Sequence, residues 1–210
     1  DQNKMEFSGY EGERISFGYV GNLTRGPLDR KLCRALVEGF AGVRFVFWGP
    51  YEDGGGNLGG NTDTATVSFV DWLKSAPNVE LRGGVSPERL AEEIGAMDGF
   101  LLMYRSNAEY DCSNSHKILE YLSTGRVVVS TRIASYPENS ELIVMAEGQA
   151  EFLELFAQVL ARLDSYNDAS KAANRRELAK SNSYQAHLMT IDGLLKDEPV
   201  AAVTGQGEIQ

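Results

Sequence analysis

The chain has 210 residues, of which 42% are hydrophobic and 24% are charged, and its formal net charge at pH 7 is −10. A chain of this length can bury one hydrophobic core, and the composition is ordinary for a globular domain. The negative charge argues against nucleic acid or an anionic membrane as a partner of this segment, because both require a basic surface. We therefore expect one domain and no nucleic-acid partner.

The sequence predicts no membrane span, secretion signal or metal site. Its apolar runs are shorter than the roughly 18 residues that cross a bilayer, and residues 1–14 are too polar for a signal peptide. Cys33 and Cys112 form neither a CxxC motif nor a Cys/His cluster, so we expect neither a disulfide scaffold nor structural zinc. These features favour a cytoplasmic location. If the chain is part of a longer protein, they are also compatible with a peripheral position of that protein at the inner membrane face.

Short apolar runs and amphipathic stretches alternate along most of the chain. Branched and aromatic residues predict strands, and we place them at residues 15–20, 43–48, 79–81, 100–104 and 127–130. Helical spacing of apolar residues predicts helices around residues 28–40 and 152–163. Strands alternating with helices predict a doubly wound parallel sheet with helices on both faces. Beyond Asp164 only helices are predicted, at residues 169–180 and 184–195.

Local signals mark several helix ends. Pro27 suits the first turn of a helix, and Ser86 followed by Pro87 combines an N-cap with a first-turn proline. Gly125 is expected to end the helix that precedes the buried strand beginning at Val127.

The start of that helix is the most informative part of the sequence. Ser113, Asn114 and Ser115 open it with small polar residues, so free backbone N–H groups and the positive end of the helix dipole face any arriving anion. Lys117 and Glu120 follow on one helical face, where they could bind a phosphate and a ribose or simply pair with each other. Ligands of such sheets bind beyond the carboxyl ends of the strands. The segment therefore predicts a site for a phosphorylated nucleotide.

Two glycine-containing loops offer further candidates. The loop from Gly21 to Gly26 follows the first strand, where glycines let a ligand approach the backbone and Arg25 could bind a phosphate, although such a loop can also serve only chain reversal. Residues 54–59 satisfy G-x-G-x-x-G literally. Pro50 to Asp53 intervene after the second strand, and Glu52 and Asp53 would repel pyrophosphate. We therefore interpret residues 54–59 as a flexible surface loop.

These elements together resemble the carboxyl-terminal, nucleotide-sugar-binding half of GT-B glycosyltransferases, in particular the group 1 (family 4) enzymes. The resemblance extends from about Ile15 to Leu195, and its order and spacing are more specific than any single motif. The matching segments are residues 18–23, 45–50, 78–83, 98–104 and 117–122, followed by Gly125 and residues 127–131. The family implies a Rossmann-like fold, with the carboxyl-terminal helices after the sheet.

The resemblance also implies a role for each matching position. Glu120 corresponds to the acid that holds the donor ribose, and the helix start at residues 113–115 corresponds to the receiver of the diphosphate. Arg82 and Gly83 match the loop on which the base rests. Asn22 and Arg25 occupy the loop that in many members supplies an arginine and a lysine to the phosphates; Asn22 takes the place of the arginine, and no lysine follows at the usual interval. The complete set of candidate donor-binding residues is Gly21, Asn22, Arg25, Arg82, Gly83, Tyr104, Asp111, Ser113, Asn114, Ser115, Lys117 and Glu120.

The implied activity is transfer of a sugar from a UDP- or GDP-linked donor to a hydroxyl acceptor. No catalytic residue is assigned. The resemblance implies neither an obligatory metal nor a cofactor, and the absence of a metal-binding DxD motif agrees with the first of these expectations. The Asn114-x-x-Lys117-x-x-Glu120-Tyr121 pattern is similar to that of enzymes that build polysaccharides or other cell-surface glycans.

We expect an extension at residues 1–14, the nucleotide-sugar-binding domain at residues 15–196 and a disordered tail at residues 197–210. The resemblance implies a separate amino-terminal domain that binds the acceptor, a glycan or a lipid-linked glycan, and this chain lacks it. We expect the chain alone to bind donor without turnover. Two alternatives remain: a stand-alone nucleotide-binding regulatory module, and an NAD-dependent oxidoreductase domain that uses residues 54–59.

Overall fold

The computed structural model describes residues 14–24, 27–51, 63–105, 116–133, 136 and 142–182. Within these ranges the chain forms six strands and seven helices. The strands are β1 (Ser16–Val20), β2 (Arg44–Trp48), β3 (Val79–Gly83), β4 (Gly99–Leu102), β5 (Val127–Thr131) and β6 (Ile143–Ala146). The helices are α1 (Arg30–Gly39), α2 (Thr64–Ser75), α3 (Pro87–Ile94), α4 (His116–Thr124), α5 (Gln149–Ala161), α6 (Leu163–Tyr166) and α7 (Ala169–Ser181).

All six strands are parallel and form one sheet in the order β3-β2-β1-β4-β5-β6. β2 and β3 lie on one side of β1, and β4, β5 and β6 lie on the other. The strand order therefore reverses between β1 and β4, which is the point where doubly wound sheets bind their ligands. The predicted doubly wound α/β fold is confirmed.

The sheet carries a hydrophobic core on each face. On one face, α1, α2 and α5 cover alternate side chains of the strands, and the rings of Phe17 and Phe156 meet edge to face with centroids 4.8 Å apart. On the other face, α3, α4 and α7 cover the remaining strand side chains, among them Phe100 and Val128. Both faces of the central strands are buried, which explains their continuous apolar sequences.

The helix starts follow the capping residues, with one correction. Pro27 does not lie in the first turn of a helix, because α1 begins three residues later. The carboxylate of Asp29 accepts hydrogen bonds from the backbone N–H groups of Lys31 and Leu32, both at 3.0 Å, and so supplies the N-cap. The predicted cap and proline at Ser86 and Pro87 are confirmed at the start of α3.

Helix α7 is attached to the rest of the domain by a buried arginine. Arg175 donates to three backbone carbonyl oxygens: Nε to Leu142 at 3.0 Å, and Nη1 to Tyr166 at 2.7 Å and Gly125 at 3.1 Å. Burial lowers the pKa of Arg175 to about 10, and the nearby Asp168 opposes that shift. The predicted helix at residues 169–180 is confirmed by α7.

Other expectations about the chain ends lie outside the described residues. They are the predicted helix at residues 184–195, the tail at residues 197–210 and almost all of the extension at residues 1–14. Among the helices that are described, none has both the length and the hydropathy to cross a membrane.

Candidate functional site

The sheet opens at the carboxyl ends of its two central strands. Over the described residues, β1 and β4 pair only at Phe17 with Gly99 and Gly18 with Phe100. By contrast, β1 pairs with β2 along its whole length, from Ser16 to Val20. The last two residues of β1 therefore have no strand partner on the β4 side. This place lies at the switch point of the strand order, where doubly wound sheets bind their ligands, and we call it the crevice between β1 and β4.

The side chain of Tyr121 contacts both strands that border this crevice. Its hydroxyl oxygen accepts a hydrogen bond of 2.7 Å from the backbone N–H of Val20. Its ring stacks on Phe100, with centroids 4.5 Å apart and planes 9° apart. Burial raises the pKa of Tyr121 well above that of a free tyrosine, so the hydroxyl remains neutral. Tyr121 thus fixes α4 against the end of β1.

Lys117 places a cation beside the crevice. Its Nζ atom lies 5.9 Å from the ring centroid of Tyr19, which is a buried residue of β1. Burial lowers the pKa of Lys117, and the charge of Glu120 partly opposes the shift. Glu120 itself is exposed. A partly desolvated ammonium interacts strongly with an incoming anion, because little water remains to screen it.

Backbone hydrogen bonds join the loops that leave β1, β2 and β3. The N–H of Gly21 donates to Trp48 O at 2.8 Å, and the N–H of Gly49 donates to Gly83 O at 2.8 Å. Gly49 and Gly83 have positive φ angles of 125° and 69°, a region that side-chain-bearing residues rarely adopt. The loops at the carboxyl ends of β1, β2 and β3 are therefore joined into one continuous surface through the backbone of three glycines, Gly21, Gly49 and Gly83.

The loop after β1 has constraints of its own. A Cβ atom at Gly21 would lie 2.7 Å from the hydroxyl oxygen of Tyr19, so packing beneath the loop requires glycine there. The side-chain oxygen of Asn22 accepts hydrogen bonds from the N–H of Thr24 at 2.8 Å and from its hydroxyl at 2.7 Å. This arrangement holds the loop in a turn.

Residues 25–192 match the model of a protein family described as glycosyl transferase-like. The chain belongs to this glycosyltransferase family. A search of curated proteins gave no match. The family match and the parallel sheet confirm the resemblance to the carboxyl-terminal domain of GT-B glycosyltransferases.

Solved glycosyltransferase structures share the fold. HepE from Anabaena, crystallised with UDP and glucose, superposes with a TM-score of 0.63 at 15% identity, over 88% of this chain and 49% of that protein. Sucrose-phosphate synthase from Thermosynechococcus elongatus gives a TM-score of 0.64 at 13% identity, over 88% of this chain and 45% of that protein. A trehalose-6-phosphate protein from E. coli, bound with UDP-2-fluoro glucose, gives a TM-score of 0.58 at 15% identity, over 88% and 44% of the two chains. The glycosyltransferase chain thus spans about half the length of these structures.

The structure brings together some of the predicted donor-binding residues. Gly21 directly follows β1, and the Nζ atom of Lys117 lies 5.9 Å from the ring of Tyr19 in that strand. Glu120 is exposed one helical turn further along α4. Tyr104 follows β4 nearby, where its backbone N–H donates to Thr131 Oγ1 at 3.0 Å. Asn22 lies in the adjoining turn.

Arg82 and Gly83 lie two strands from the crevice, at the end of the edge strand β3. The guanidinium of Arg82 is 2.8 Å from the carboxylate of Glu80 on the same strand. The predicted residues that lie outside the described ranges are Arg25, Asp111, Ser113, Asn114 and Ser115, together with the loop at residues 54–59.

Sequence reasoning missed two features of the site. The contact of Tyr121 with Val20 joins residues that are 101 positions apart in the sequence. No local pattern in the sequence predicts it. Gly49 follows an apolar strand and precedes Pro50, which is a turn signal that could have identified it. Among the described residues, no group of three His, Cys, Asp or Glu side chains is arranged to hold a metal ion.

Proposed function

We propose that this chain is the donor-binding domain of a glycosyltransferase and that it binds a nucleoside diphosphate sugar, with UDP favoured as the nucleotide. The observation that carries the proposal is the crevice between β1 and β4 with Lys117 beside it, in a chain that belongs to a glycosyltransferase family. UDP is favoured because HepE and the trehalose-6-phosphate protein, which share the fold, were solved with UDP or a UDP-sugar.

The layout of the carboxyl edge suits an extended nucleotide. A diphosphate in the crevice meets the ammonium of Lys117, and Glu120 lies one helical turn further along α4, where it can accept hydrogen bonds from ribose hydroxyls. Gly83 lies two strands away from β1, a distance of about 10 Å for strands spaced as in ordinary sheets. We assign the base to this end of the edge, above the loops that Gly49 and Gly83 join.

The chemistry required of this domain is stabilisation of a leaving group. When the bond between the sugar and the diphosphate breaks, negative charge accumulates on the diphosphate. A partly buried ammonium and the amino end of α4 are fixed before the reaction, so they stabilise this charge without reorganising. We propose the same role for residues 113–115, which directly precede α4 in the sequence. The nucleophile is a hydroxyl group of the acceptor. We assign binding of the acceptor to a second domain.

Titration calorimetry with UDP, GDP and NAD tests the proposal. The chain should bind UDP or GDP and not NAD. E120Q should weaken nucleotide binding by about tenfold or more, because it removes the charge from a hydrogen-bond acceptor. K117M should weaken binding by a similar factor and reduce its dependence on salt, because one charge contact with the phosphates is lost.

Exposed residues of α7 provide matched controls. E177Q and K180M make the same chemical changes at exposed positions of α7, and both should bind UDP like the unaltered chain. Failure of UDP and GDP to bind, or equal weakening by all four variants, would contradict the proposal. Binding of NAD alone would favour the oxidoreductase alternative.

The acceptor and the pathway are a finer part of the proposal. The pattern formed by Asn114, Lys117, Glu120 and Tyr121 supports a role in building polysaccharides or other cell-surface glycans, with cytoplasmic nucleotide sugars as donors. Joining the chain to an acceptor-binding domain and assaying UDP release with glycan acceptors tests this part.

A further inference from the structure

We propose that Tyr121 is a positioning residue for donor binding: its hydroxyl holds the first turns of α4 at the fixed distance from β1 that the nucleotide requires. The inference rests on the proposed function, because it concerns the same crevice. It adds a residue that touches neither the sugar nor the phosphates and that acts through Val20 and α4.

The backbone of β1 shows why a side chain is needed at this point. Ser16 and Val20 are both even-numbered residues, and along a strand alternate residues direct their N–H groups to the same neighbour. The N–H of Ser16 donates to Asp98, which directly precedes β4. The N–H of Val20 therefore also faces the β4 side, where the pairing of β1 with β4 has already ended at Gly18. Tyr121 supplies the acceptor that the separated strand does not.

The position of Tyr121 is fixed by packing as well as by the hydrogen bond. Its side chain is fully buried, and the stacked ring of Phe100 leaves it little rotational freedom. Phe100 belongs to β4, whereas Val20 belongs to β1. A single side chain of α4 thus contacts both strands that border the crevice.

This anchor lies next to the residues that we assign to the donor. Tyr121 directly follows Glu120 and lies four residues, about one helical turn, after Lys117. Release of the hydroxyl would let α4 move relative to Gly21, the residue after Val20. Donor contacts from α4 and from the β1 loop would then no longer fit one rigid nucleotide, since fixed geometry is what such sites depend on.

The test compares Y121F with S16A. Y121F keeps the ring and removes only the hydroxyl, leaving the Val20 N–H without its acceptor. S16A likewise removes one buried hydroxyl group from β1, the group that donates to Asp98 Oδ2 at 3.0 Å. Ser16 lies at the amino end of β1, away from the crevice. Calorimetry should show UDP binding weakened about five- to tenfold in Y121F and unchanged in S16A.

Amide hydrogen exchange supplies a readout that needs no ligand. In Y121F, exchange should accelerate by about tenfold or more at Val20 and at the hydrogen-bonded amides of α4 from Glu120 onward, while the remaining core amides keep their rates. S16A should leave both places unchanged. This pattern distinguishes a local anchor from a general loss of stability.

The two measurements separate the inference from the proposed function. If the unaltered chain binds neither UDP nor GDP, the proposed function fails, and the exchange data still decide whether Tyr121 holds α4 to β1. If the chain binds UDP and Y121F binds it equally well, Tyr121 is not a positioning residue. Unchanged exchange at Val20, or acceleration spread evenly over the core, would also overturn the inference.

Discussion

Gly49 carries the strongest single-residue constraint at the carboxyl edge of the sheet. Its φ angle of 125° lies in a region that only glycine occupies easily. A Cβ atom on Gly49 would also collide with the carbonyl oxygen of Gly21, which is backbone and cannot turn aside. Conformation and packing both demand glycine here, so the loops after β1 and β2 depend on one residue.

G49A should therefore be strongly destabilising. We expect the free energy of unfolding to fall by at least about 2 kcal/mol, because the variant combines an unfavourable φ with a steric overlap. Urea unfolding followed by circular dichroism measures the change. G42A is the matched control, since a Cβ at Gly42 meets nothing within 4 Å. Equal stabilities of the two variants would show that the loop adapts freely.

Individual site residues were only partly predictable. Lys117 and Glu120 could be chosen because their helix follows a polar start and their spacing places them on one face. The roles of Gly49 and Tyr121 depend on atoms that approach from distant parts of the chain, Gly21 and Val20, and no local rule contains that information.

Helix α1 shows how one cap defines an element beside the site. The carboxylate of Asp29 satisfies the N–H groups of Lys31 and Leu32, and the backbone N–H of Asp29 donates to Met103 O at 2.9 Å. The cap thus starts the helix and ties its first turn to the residue that follows β4. Pro27, two residues earlier, remains in the preceding turn.

D29A should lower the free energy of unfolding by about 1 kcal/mol, because two helix N–H groups lose their acceptor. D29N should cost much less, since the amide oxygen of asparagine caps as well. Thermal unfolding of the two variants under identical conditions provides the comparison. If D29N is as unstable as D29A, charge rather than capping explains the effect.

Most elements followed from the sequence, and the exceptions have physical reasons. The five predicted strands are all present. Four of them, β1, β2, β4 and β5, are continuous apolar runs that are largely buried on both faces. Strand β6 was missed because it is a short run at the edge of the sheet, where Val144 and Met145 are only partly buried. Helix α2 was missed because its apolar residues are mixed with Thr64, Thr66 and Ser68 and follow a glycine-rich stretch.

At the scale of the whole molecule, Arg175 joins parts of the chain that local structure leaves separate. Its three hydrogen bonds connect α7 to the end of α6, to the turn after α4 and to the approach to β6. The side chain is completely buried, and its Nη2 atom has no partner among the described residues. Arg175 therefore attaches α7 to three separate segments of the domain, and its hydrogen bonds among the described residues all go to backbone carbonyl oxygens.

R175A should lower the free energy of unfolding by about 3 kcal/mol or more, because it creates a cavity and leaves buried carbonyls without a donor. R176A is the natural control: the neighbouring arginine is exposed and donates to Thr124 O at 2.9 Å, so its loss should cost less than about 0.5 kcal/mol. Urea titrations of both variants measure the difference. Similar costs would mean that α7 is held chiefly by its apolar contacts.

The strand order has a consequence for how the crevice comes into existence. Its two walls belong to opposite halves of the chain, since β1 is the first strand and α4 follows the fourth. Bringing these two elements together closes a loop of about one hundred residues, which costs chain entropy, and non-local contacts of this kind slow folding. A partly folded chain has no crevice to offer. A nucleotide would therefore bind only the fully folded domain. Because it contacts both β1 and α4, it would also slow the separation of these two elements during unfolding.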